Sequence, residues 1–220
     1  MPYLDRWEER LRTAVVTIGE RGGSFQPVER ASPATSDEVS RAETELGVGL
    51  PAQLTKVLGW GGLTGRWQLA EGDDGALPAE CGEVQWGGVT LSLEEVVRAE
   101  MSRRGWIEAC FPNIADSYEV VWHDKFGFHT IPNGDCLALG TFDDDMAVYY
   151  LSHDDGEGHG VRLAPSLEEF VERWSRLGFA GPEDWLLLPF VDVAKGGLVA
   201  DSTIAEDWRA SLGLRALGAA

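Results

Sequence analysis

Two histidine–aspartate groups, His123-Asp124 and His153-Asp154-Asp155, are the residues in this sequence best equipped for chemistry. Imidazole and carboxylate together suit zinc or another divalent ion, so a metal-dependent hydrolase is one reading, with His129 and His159 nearby in the chain. Their spacing argues against it. No His-Glu-x-x-His string occurs, and the doublets fall at the ends of strand-like runs rather than on helices. Ser24, Ser36, Ser92, Ser152 and Ser166 lack a Gly-x-Ser-x-Gly setting, and three of them sit at helix starts. Cys81, Cys110 and Cys136 form no Cys-x-x-Cys pair and are expected to be reduced, packed thiols. No phosphate-cradling glycine string is present. The sequence therefore assigns no catalytic residue, no metal and no cofactor, and the expectation is a protein that is not an enzyme.

Charge is more informative. From Phe126 to Val161 there is no Lys or Arg, while Asp135, Asp143, Asp144, Asp145, Asp154, Asp155 and Glu157 all fall there. One reading is a set of solvated turns. The sharper one takes Asp143, Asp144, Asp145, Asp154, Asp155 and Glu157 as a negative surface that steers a basic protein partner. A nuclease-like toxin, basic because it holds phosphates, is such a partner. Alternate turns of a meander share an edge, so the Asp143 and Asp154 turns need not adjoin. Over the whole chain 18 basic against 37 acidic side chains give 18 − 37 = −19, which repels nucleic acid and anionic lipid.

The elements that must position these residues follow from periodicity. With 220 residues, 44% hydrophobic and 25% charged, the chain is expected to fold as one domain over 1–180, with 181–220 an extension docked on it. Apolar spacing predicts a helix from about Asp5 to Glu20, then a loop from Gly22 to Pro33. Thr35-x-x-Glu38 has the form of a capping box opening a helix that stops at Gly47, and Pro51 starts a short helix ended by Gly61-Gly62. Glu71 to Gly75 reads as an acidic turn. Ser92-x-x-Glu95 opens a helix expected to bury Leu93, Val96, Val97 and Met101. Tyr118–Trp122, Phe126–Ile131, Cys136–Leu139 and Ala147–Leu151 read as consecutive antiparallel strands, with Asn133-Gly134 turning one hairpin. Ser166-x-x-Glu169 then opens a helix with Leu167, Phe170, Val171, Trp174 and Leu177 on one face. Thr203-x-x-Glu206 opens a last one, with Ile204, Trp208 and Leu212 inward. The fold class is α+β, about four to six mostly antiparallel strands packed by helices. The first ten residues lack a secretory pattern, and no stretch approaches the ~20 apolar residues of a membrane span, so a cytoplasmic protein is expected.

Three blocks in this order resemble the SUKH superfamily, named partly for a yeast cell-wall-synthesis regulator and containing many bacterial immunity proteins. They are Ala42 to Pro51 followed by Leu54, Leu58 and Gly61-Gly62; Trp122 through Asn133-Gly134-Asp135 to Leu139; and Val148 to Asp154 followed by Ser166 to Phe170. They span about 35–177. The resemblance implies an α+β scaffold without a shared catalytic centre, which in toxin systems binds a cognate toxin and blocks it. It implies core positions for Trp122, Tyr149 and Phe170, and turn-shaping roles for Gly61, Gly62, Gly134 and Asp135. The alternative within the same fold is an intracellular regulatory or scaffold protein with no toxin partner.

Overall fold

Leu4, Trp7, Leu11, Ala14, Val15 and Ile18 recur every three or four residues and are all buried, which makes α1 (Pro2–Glu20) a helix with one apolar face. The structure is a computed structural model that describes residues 2–72, 77–141 and 146–218. Its chain divides into two units. The first holds Met1–Arg30, Leu63–Thr90 and Val171–Ala220; the second holds Ala31–Gly62 and Leu91–Phe170.

The first unit is built around tryptophan. Its sheet has the order β1 (Ser24–Ala31), β2 (Gly62–Gln68), β3 (Trp86–Leu91). Trp67 donates its indole N–H to the Gly178 carbonyl at 2.6 Å and lies 6.3 Å from the ring of Trp208, which meets Phe190 edge-on at 5.4 Å. That bond spares Trp67 the cost of an unpaired N–H in the core, whereas Trp208 Nε1 is buried with no hydrogen-bond partner among the described residues. Trp208 and Leu212 lie on α8 (Thr203–Leu212), whose cap is Ser202, accepting from Ala205 N at 3.2 Å, and not the expected Thr203. Ile204 is half-exposed; Ala205 takes the buried place. The apolar run before it forms α7 (Asp184–Leu187), then a tight turn over Leu188–Phe190 and a small pair, β8 (Val191–Asp192) with β9 (Gly197–Leu198).

The second unit opens with α2 (Ser36–Leu46), capped by the reciprocal Thr35–Glu38 box and stopped by Gly47 at φ 66°, as the sequence reading expects. After α3 (Ala52–Leu58) come α4 (Leu93–Ala109) and α5 (Val120–His123). A meander follows with the order β4 (Lys125–Thr130), β5 (Cys136–Gly140), β6 (Val148–Leu151), β7 (Arg162–Ala164), antiparallel throughout. After the sheet the chain enters α6 (Leu167–Arg176), whose residues to Phe170 belong to the second unit and from Val171 to the first. The fold is α+β with mostly antiparallel sheets.

Several elements differ from the sequence reading, each for a physical reason. Residues 24–31 are a strand, not a loop. Seven of its eight residues are exposed, so no alternation shows, and an edge strand tolerates Pro27. Residues 62–68 and 86–91 are strands where periodicity was weak. β3 is largely buried; β2 does alternate, with Leu63, Gly65 and Trp67 inward and Arg66 and Gln68 exposed, but a glycine at one inward position weakens the apolar signal. Tyr118–Trp122 is not a strand. Asp116 accepts from the amides of Tyr118 and Glu119 at 2.8 and 3.1 Å, and this turn leads into α5. Trp122 and Phe170 are core, but Tyr149 is half-exposed under Lys125 at 4.6 Å while Tyr150 takes the interior position. Cys81 and Cys136 are buried, and burial pushes both thiols up to about 12; Cys110 is exposed rather than packed. Asp73, Asp74 and Gly75 of the acidic turn lie outside the described residues.

The largest difference is the face of α4. Val96 is buried, but Leu93 and Val97 are half-buried and Met101 is 54% exposed, while Glu95, Ala99, Glu100 and Arg103 are turned inward. The cause is β4, the edge strand of the meander. Glu100 accepts from the Gly127 amide at 2.9 Å, and Glu95 accepts from the Thr130 amide at 2.6 Å and hydroxyl at 2.7 Å. Side-chain carboxylates thus take the place of a missing neighbouring strand. Arg103 binds both Glu100 oxygens at 2.8 Å and donates onward to the Trp122 carbonyl, so the buried charge is paired and hydrogen-bonded. The approach is close enough to require glycine at 127, where a Cβ would stand 2.8 Å from the Ala99 carbonyl oxygen.

Candidate protein-binding site

Alternate connections of the meander share an end, which brings the β4–β5 turn and the β6–β7 loop of the second unit together. Their meeting point is Asp135. Its carboxylate is buried and fully used: Oδ1 accepts from the His153 amide at 2.9 Å and from His153 Nδ1 at 2.6 Å, and Oδ2 from Asn133 Nδ2 at 2.7 Å and the Tyr150 hydroxyl at 2.5 Å. The turn itself needs one left-handed residue, Gly134 at φ 104°. Asn133 instead accepts from the Asp135 amide at 3.0 Å, a local turn that does not call for positive φ.

Beyond Asp135 the β6–β7 loop is held by its own polar groups. Tyr118 donates its hydroxyl proton to the Ser152 carbonyl and accepts from the Asp155 amide at 3.0 Å. Ser152 Oγ donates to Asp154 Oδ1 at 2.8 Å and accepts from the Gly156 amide at 3.1 Å. His159 accepts from the Ser152 amide at Nδ1 (3.1 Å), donates from Nε2 to the Tyr118 carbonyl (3.0 Å), and stacks on the Tyr118 ring at 3.8 Å. That pattern fixes the neutral imidazole, and burial lowers the His159 pKa below its ordinary value of 6.5. Burial likewise raises the Tyr118 hydroxyl. Around this frame Asp154, Asp155 and Glu157 are exposed, with Asp155 in the left-handed region at φ 62°. The loop's hydrogen bonds thus tie down the backbone that carries three exposed carboxylates.

The structure therefore brings together Asp154, Asp155 and Glu157 of the expected surface, all on one loop. Asp143, Asp144 and Asp145 lie outside the described residues; their flanking residues Gly140 and Ala147 pair at 2.9 Å at the other end of β5 and β6. The sequence reading missed Tyr118, Ser152 and His159 as the frame, and gave Asp135 a turn where it also anchors the loop. Only Asp135 carried a signal, as an Asp after Asn-Gly between two strand runs.

Asp135, His153 and Asp154 are also the one group among the described residues whose ligand atoms could surround an ion, all within 4.8 Å. Their donors and acceptors are committed elsewhere. Asp135 has four protein donors, His153 Nδ1 faces Asp135, and Asp154 holds Ser152. His123 binds the Phe111 carbonyl through Nε2 at 2.8 Å. The two doublets form no joint site among the described residues, where the grouped ligand atoms are those of Asp135, His153 and Asp154 and do not include His123 or Asp124.

A family model, the SMI1 / KNR4 family (SUKH-1), matches the sequence over residues 33–173. The chain belongs to this family. In this SUKH-1 chain the match begins two residues before the α2 cap and ends within α6, so Asp135 and the whole acidic loop lie inside it. No curated protein matches the sequence. No helix among the described residues is long and apolar enough to cross a membrane.

Proposed function

We propose that this chain is a non-enzymatic, cytoplasmic binding protein of the immunity type, which covers the active site of a basic, nuclease-like toxin. The observation that carries this reading is the framed loop. Asp154, Asp155 and Glu157 project from a backbone already ordered by Tyr118, Ser152 and His159, so binding does not have to order it again. Carboxylates so placed steer a cationic partner and set its orientation. Asp143, Asp144 and Asp145 join the proposal on charge alone. Membership of SUKH-1 supports a protein partner over a nucleic acid or membrane, and the net charge of −19 agrees.

The test is capture of the tagged chain's partner from its native cytosol at low and high salt, followed by association kinetics with the purified partner. A single basic protein, bound one to one and released by salt, is expected. The triple variant Asp154→Asn, Asp155→Asn, Glu157→Gln keeps the hydrogen-bonding shape, and Asn tolerates the left-handed backbone at 155. It is expected to slow association about tenfold at low salt and flatten its salt dependence. Unchanged kinetics would remove the steering role, and several unrelated partners would favour a regulatory scaffold. Retained metal together with activity lost in His153→Ala would favour the hydrolase.

A further inference from the structure

The inverted face of α4 leaves an apolar surface without a partner inside the second unit. Leu93, Val97 and Met101 follow one another at i, i+4 and i+8, the row of side chains that interdigitates when one helix packs on another. With Ala34, Ala42 and Leu58 they line an open groove of about 660 Å³ beside α2. That volume lies within the range of about 300–1,000 Å³ typical of ligand clefts. An apolar patch rimmed by charge on a soluble protein marks a place of contact.

The rim indicates what would fit. It carries Glu38, Glu45 and Glu94 against Arg41 and Arg98. Arg98 is already bound to the buried carboxylate of Glu95, and the charge of Arg41 is offset by Glu38, on which it acts. Glu45 and Glu94 are exposed and make no hydrogen bond or ion pair among the described residues. The uncommitted charge around the groove is therefore negative. Its apolar side is a helical ridge, and Met101 offers a flexible, polarizable contact that adapts to a new neighbour.

We propose that this groove receives an amphipathic helix from a partner protein, its apolar ridge seated on Leu93, Val97 and Met101 and its flanking Lys or Arg side chains directed to Glu45 and Glu94. The proposal rests on the binding-protein reading for the kind of partner. Its test uses synthetic peptides, so the two can fail separately.

The full chain is titrated, by fluorescence anisotropy, into three labelled peptides. One has leucines at helical spacing with lysines on both flanks, one has glutamates in place of the lysines, and one scrambles the first. The lysine helix is expected to bind, the other two at least about tenfold more weakly. Met101→Lys, at an exposed position where the fold tolerates change, is expected to weaken binding about tenfold, and Glu45→Gln with Glu94→Gln severalfold. The triple variant of the acidic loop keeps full affinity, and hydrogen exchange shows new protection on α2 and α4. Equal binding of the scrambled peptide, loss of affinity in the loop variant, or indifference to Met101→Lys would overturn the proposal. So would sedimentation showing a dimer of the free chain that Met101→Lys dissociates, since the groove would then be filled by a second copy.

Discussion

Helices α4 and α6 begin with the same chemistry, a serine that accepts from the amide of a glutamate three residues on, and yet they face their surroundings in opposite ways. In α6 every apolar residue of the stripe is buried, from Leu167 to Trp174 and on to Leu177. In α4 only Val96 of the stripe is buried, Leu93 and Val97 are half-buried and Met101 is exposed, while Glu95 and Glu100 are 2% and 1% exposed. What separates them is the partner. α6 starts beside aromatic neighbours such as Phe128, 6.2 Å from Phe170, whereas α4 lies along a strand edge whose amides need acceptors. A helix buries whatever its neighbour lacks, and a row of free N–H groups lacks carboxylates.

The contrast breaks most decisively at Glu100. If hydrophobic pattern governed α4, Glu100→Leu would be neutral or stabilising. Because the carboxylate serves the Gly127 amide and Arg103, the substitution is expected to cost about 3–5 kcal/mol in urea unfolding, as much as Phe170→Ala in α6. Gly127→Ala sharpens the same point from the strand side: its Cβ must push α4 away from the Ala99 carbonyl, for about 1–3 kcal/mol. The smallest effect is on the acidic loop. His159 is held neutral with its pKa below 6.5, so at lower pH the unfolded chain takes up a proton that the folded chain resists. Its contribution is complete above pH 6.5 and declines as pH falls through that value toward the folded pKa. Urea midpoints measured across that window should fall with pH, and His159→Phe should flatten the part due to this residue.

Where local chemistry decides, the sequence was readable. The Thr35–Glu38 box, the Gly47 stop and the α6 stripe depend on residues within one or two turns of each other, and all three stand as expected. Ser92-x-x-Glu95 was half legible. Ser92 caps the helix, but Glu95 leaves the box for Thr130, 35 residues away, and no local pattern announces that. Strand β1 was hidden by its exposure and β3 by its burial, since alternation appears only when one face is wet. The acidic residues of the loop were plain in composition, but their frame joins Tyr118 to Ser152 and His159 across distances that only the folded meander closes.

Sealing β4 with side chains also bears on how this protein behaves in a crowded solution. A bare strand edge is a template on which a foreign strand can copy hydrogen bonds and begin a fibril. Here the acceptors are already seated on the Gly127 and Thr130 amides, and the opposite end of the meander is β7, three residues long with an irregular register. An incoming strand finds little ladder to extend on either side, so the meander is a poor template for strand-by-strand growth.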